Sequence, residues 1–239
     1  MNLDDAGDPN RMGRYLVLGC ALTALAVMYP LLGYGLMGLA AWTGAFWIVL
    51  LGVLRASTTE GSAKGLERVL AVLAAAGSLG TLAFHSLRPQ SHGALFAFFD
   101  SLALIFLVVA TVRMLKSVLF GDHSKHDHLL SAACAYVLLG LAFAYVMVVL
   151  QGVTGVEQVH VASENRILDG DPIGLMRARF LYLSFVTLTT LGYGDMTAVT
   201  LEARMVLGVE AVIGQLYLAI LVARLVGLHT SGPGQNAEP

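Results

Sequence analysis

Charge is what this sequence has least of. Asp, Glu, Lys and Arg together make up 13% of its 239 residues, against about 25% in an ordinary soluble domain. With 57% of residues hydrophobic and a mean hydropathy of +0.75, a soluble fold is excluded and an integral membrane protein is expected. Neither sign of charge dominates: 14 basic residues stand against 16 acidic ones, for a net charge of -2. Without a basic stripe, nucleic acid is excluded as a partner. Cysteine is almost absent as well. Cys20 and Cys134 both fall inside apolar runs, so they read as packing residues and imply no disulfide framework. The first ten residues hold three aspartates and no basic residue, and no small-residue cleavage site follows, so no signal peptide is expected.

What the sequence has is long charge-free runs. Tyr15–Leu54 is 40 residues without a charge, twice the roughly 20 that one crossing helix needs. It is expected to form a helical hairpin turning between Tyr29-Pro30 and Gly35. A third span is expected over Val69–Phe84, a fourth over Ala94–Leu119, a fifth over Leu129–Leu150 and a sixth over Val199–Val226. Six crossings leave both termini on one side. Arg11, Arg14, Arg55, Lys64, Arg68, Arg113, Lys116, Lys125 and Arg224 lie on that side, and Arg88, Arg166, Arg177, Arg179 and Arg204 on the other. Nine against five assigns the termini to the cytoplasm of a cell membrane.

Between the last two spans lies Thr189-Thr190-Leu191-Gly192-Tyr193-Gly194-Asp195. No side chain in it suits acid–base or covalent catalysis, and the function expected is not enzymatic. What it offers is backbone: glycines flanking a tyrosine let successive carbonyl oxygens turn the same way, where they can replace the water around a dehydrated cation. The run resembles the selectivity filter of tetrameric potassium channels, usually Thr-Val-Gly-Tyr-Gly followed by Asp, with Leu191 departing from the usual Val or Ile. The flanks extend the likeness. Phe180–Thr189, free of charge, Gly and Pro, matches the pore helix. Val199-Thr200-Leu201 and Arg204 match the start of the inner helix, although Ala198 stands where that family commonly has Pro.

The resemblance implies an all-α membrane protein of six transmembrane helices with a re-entrant pore helix and filter, assembled as a homotetramer because one chain supplies one strand of the ring. It divides the chain into a segment 1–14, a four-helix domain 15–119, a linker 120–128, a pore domain 129–226 and a tail 227–239. The tail is rich in Gly, Pro, Ser and Gln, and no sensor domain is expected in it. Thr190, Leu191, Gly192, Tyr193 and Gly194 are implied to hold K+ as transported cargo, with no organic cofactor. Leu191 and Tyr193 would send their side chains behind the filter, with Asp195, Tyr182 and Glu210 supporting it. Tyr193 favours potassium, since a related non-selective filter has an acid there. The alternatives are a weakly selective cation channel, a subunit of a potassium uptake system and a non-conducting membrane sensor. Partners beyond lipid and identical subunits are unknown.

Several residues stand outside the motif. The fourth span has only Arg113 and Lys116, both at its cytoplasmic end, where snorkelling accounts for them, and a voltage sensor is not expected. Asp100, inside that span, needs a partner; Arg88, His85 and His92 are the candidates. His123, His126 and His128, close to Asp122 and Asp127, read as a solvated linker before a metal site. Arg177 and Arg179 stand near the start of the pore helix, where the dipole disfavours cations, with only the acidic loop of Glu157, Glu164, Asp169 and Asp171 in view as a partner. In the sixth span Gly214 suits either a gating bend or close packing, and Gln215, Leu218 and Val222 share one wall. Glu210 points about 140° away from Gln215, toward Ser184 and Thr187 or toward the fifth span.

Overall fold

The structure, a computed structural model, describes residues 19, 36–56, 62–87, 94–120, 125–162 and 173–230. They form six helices and two short strands: α1 (Leu36–Ala56), α2 (Ser62–Leu87), α3 (Ala94–Phe120), α4 (Lys125–Thr154), β1 (Val159–Val161), α5 (Ile173–Leu188), β2 (Met196–Ala198) and α6 (Leu201–Thr230). Most of the first half of the expected hairpin lies outside the described residues, as do His123 and the side chains of His126, Asp127 and His128. So do Arg88, His92 and the side chain of His85, the partners expected for Asp100. Among the described residues three stretches are long and apolar enough to cross a membrane: Ala97–Leu119, Leu129–Thr154 and Leu201–Gly227. With the apolar composition they make this a membrane protein.

The helices pack in chain order, α1 on α2, α2 on α3 and α3 on α4, and α4 then serves as the post against which α5 and α6 both lean. One buried cluster runs through α1, α3, α4 and α5 without a break. It includes Phe46, Phe106, Leu138, Tyr145, Phe180 and Leu181, and the rings of Phe46 and Tyr145 sit 5.6 Å apart. Between α1 and α2 the indole of Trp47 donates to Ser78 Oγ at 2.9 Å. Such bonds join helices where the lipid offers no alternative partner. At the far end of the bundle Arg224 Nη1 donates to the Val118 carbonyl. A cation there meets the partial negative charge at the end of α3.

Two of the differences from the sequence reading bear on the site. The helix expected to start at Phe180 starts at Ile173, because Arg177, which argued against a helix N-terminus there, is neutralised by a buried acid. At 16 residues α5 is about 24 Å long. The segment after α4, read as an unstructured loop, contributes β1, which pairs antiparallel with β2 in the register Val159↔Ala198, His160↔Thr197 and Val161↔Met196.

Candidate functional site

The site begins where α5 ends. Leu191 N–H donates to the Val186 carbonyl at 2.9 Å and Thr190 N–H to the Thr187 carbonyl at 2.9 Å, with Thr190 at φ +57°. These are the two bonds and the left-handed residue of a Schellman helix end, a place where Gly is the ordinary choice. A β-branched residue there is strained. Strain of this kind, worth about 1–3 kcal/mol, persists where the surroundings impose it and the site has a use for the side chain. Helix termination alone would favour Gly at this position.

Beyond Thr190 the sign of φ alternates. Gly192 is at +55° and Gly194 at +78°, while Leu191 and Tyr193 are not in the positive region. In an extended strand successive carbonyls point to opposite sides; alternating left- and right-handed residues gathers like groups on one side. The conformation is open to this sequence because two of the three left-handed positions are glycine. A Cβ at Gly192 would touch nothing within 4 Å in the chain, so its requirement for glycine here is conformational rather than steric.

Asp195 fixes the outer end of this segment. Tyr182 Oη donates to its Oδ2 at 2.7 Å, so two of the expected supporting residues meet. The Met196 N–H donates to its Oδ1 at 3.1 Å, and the Ala162 N–H to its backbone carbonyl at 2.8 Å. One residue thus ties α5, β2 and the end of β1 together. Gln158, buried at the head of β1, extends the brace. Its amide donates to Thr154 Oγ1 at 2.7 Å and to the Val156 carbonyl at 2.8 Å, its side-chain oxygen accepts from the Thr200 hydroxyl, and its carbonyl accepts from Val199 N–H at 2.9 Å. Thr200 Oγ1 in turn accepts from Ala203 N–H at 3.2 Å, the N-cap of α6. The sequence reading missed Gln158, a polar residue between Glu157 and Val159 in a polar loop, where nothing local sets it apart.

The inner end is held from behind. The Leu188 carbonyl accepts a hydrogen bond from Tyr136 Oη of α4 at 3.0 Å, and a Cβ on Gly214 would lie 2.7 Å from that same oxygen. Close approach of α6 to the end of α5 is what Gly214 provides, in a helix continuous from Leu201 to Thr230. Glu210 is fully buried and turned away from Gln215, as the helical angle requires: the Ser184 hydroxyl contacts its Oε1 and also bonds the Gly140 carbonyl at 2.6 Å. Its Oε2 has no hydrogen-bond partner among the described residues. Thr187 is not part of this contact.

The remaining expected positions are uncovered. Leu191 is 54% and Tyr193 68% exposed, so the packing expected behind the filter does not come from the chain's own helices. Gln215, Leu218 and Val222 share an exposed face of α6. Asp100 receives Nη2 of Arg177 in a buried ion pair, a pairing the sequence reading named for neither residue. Arg88, His85 and His92 lie near Asp100 in sequence, whereas the fold delivers Arg177 from 77 residues away.

A family model described as an ion channel matches residues 171–230, the span from the start of α5 to the end of α6. No curated protein and no solved structure matches the chain. α5, the strained turn and α6 are thus the part of this membrane protein that is similar to an ion channel.

Proposed function

We propose that the chain is the subunit of a potassium-selective channel, a homotetramer of six-span subunits with cytoplasmic termini in the cell membrane, passing K+ down its gradient without catalysis. The observation that carries this reading is the backbone of Thr190–Gly194, where alternating φ signs suit a column of carbonyl oxygens able to replace a cation's hydration shell. The C-terminal end of α5 adds the partial negative charge of its dipole at the inner end of that column.

Assembly follows from exposure. Residues 189–194 are all exposed in the single chain, and irregular backbone at membrane depth is tolerated only when buried in protein or lining water. Four copies around an axis supply both, with the neighbour covering Leu191 and Tyr193 and the axis carrying the ions. Potassium flux from liposomes holding the purified protein tests the reading. The expected result is K+ efflux with Na+ largely excluded, and its loss in Gly192→Ala, since Ala at φ +55° costs about 1–2 kcal/mol per position, four times over in the ring. Equal passage of Na+ and K+ would replace potassium selectivity with weak cation selectivity. No flux at all would retire the channel reading.

A further inference from the structure

Asp100 and Arg177 form a buried ion pair: the two residues are 5% and 2% exposed, and the contact runs from Nη2 to Oδ1. Taking two charges out of water usually leaves such a pair no more stable than apolar residues of the same volume, so stability does not account for it. Its position makes the cost higher still, because Arg177 sits in the early turns of α5, where the helix dipole repels a cation. Nor is the guanidinium fully satisfied, since its Nε has no hydrogen-bond partner among the described residues. What such a pair does well is set the register of one element against another.

The elements it registers are α3 and α5. α3 packs along α4, not along α5, and the pair ties them directly across that gap. α5 is a single helix from Ile173 to Leu188, and three of the contacts that hold the filter hang on it: the Val186 and Thr187 carbonyls at the inner end and Tyr182 at the outer end. A shift of Arg177 moves all three. We propose that Asp100 is a positioning residue for ion selectivity, acting through Arg177 and α5, so that α3 sets the geometry of the filter in its own chain. This inference rests on the potassium-channel reading.

The experiment compares relative Na+ and K+ permeability of the full-length protein in liposomes. Asp100→Asn and Arg177→Gln alone leave one buried charge unpaired and risk misfolding, so the deciding variants are the apolar pair Asp100→Leu with Arg177→Met, and the exchange Asp100→Arg with Arg177→Asp. The apolar pair is expected to assemble like the wild type while its Na+ permeability relative to K+ rises about tenfold, an ordinary size for coupling between sites. The exchange, which restores a tie across the same gap, is expected to recover part of that loss. An assembled apolar pair whose permeability ratio stays within about twofold of wild type, below ordinary coupling, overturns the inference while leaving the channel reading intact. Failure of both double variants to fold overturns it too, because the pair would then be a condition of folding and not a link. A wild-type protein that passes no K+ removes the channel reading first.

Discussion

Thr190 carries a conformational cost that its neighbours Gly192 and Gly194 avoid. At φ +57° that cost is about 1–3 kcal/mol, larger than the roughly 0.5–1 kcal/mol that Gly loses by its extra freedom in the unfolded chain. Thr190→Gly is therefore expected to leave thermal stability unchanged or slightly raised while K+ selectivity over Na+ falls, because the hydroxyl is lost. A marked drop in melting temperature with selectivity intact would show that the hydroxyl serves folding alone. The conformation at Gly192 and Gly194 was legible in the sequence, since glycine spacing marks where positive φ is needed. Glu210 was legible for a different reason: helical angles alone exclude it from the wall that Gln215 occupies. Asp100 and Arg177 were each recognised as needing a partner, but an ion pair across 77 residues leaves no local trace.

At the scale of elements, α3 holds two cations at its inner end, Arg113 half-buried and Lys116 exposed, and no regular series above them. Voltage-driven opening draws about 2.3 kcal/mol per charge per 100 mV, and strong sensors move about three to four charges per subunit. Open probability in a planar bilayer is therefore expected to vary weakly with voltage; steep activation would reveal moving charge elsewhere. Long apolar runs made α3, α4 and α6 readable to within a few residues at most ends. β1 and β2 were not, since three residues each give alternation too little length to register. Their pairing comes from Gln158, Thr200 and Asp195 acting together, a tertiary arrangement. The early start of α5 was hidden likewise, because a charge near a helix N-terminus argues against a helix until its buried partner is known.

For the molecule as a whole, the polar strand left uncovered by its own chain sets the expected stoichiometry. Four subunits of 25.3 kDa should appear in native mass measurement after detergent removal, and chemical cross-linking should end at four bands. A monomer that still conducts would contradict this. Within each subunit the core that runs from α1 to α5 also takes in Ala203 of α6, while α6 as a whole is exposed on most of its surface. Gly214 lets the helix lie close against the Leu188 carbonyl. Ten residues further on, about 15 Å along the helix, Arg224 is latched to the end of α3 at Val118. Between the two, Tyr217 Oη donates to the Ala132 carbonyl at 2.8 Å, so a tilt of about 10° about Gly214, which would carry the far end about 3 Å, would have to break that buried bond as well as the latch.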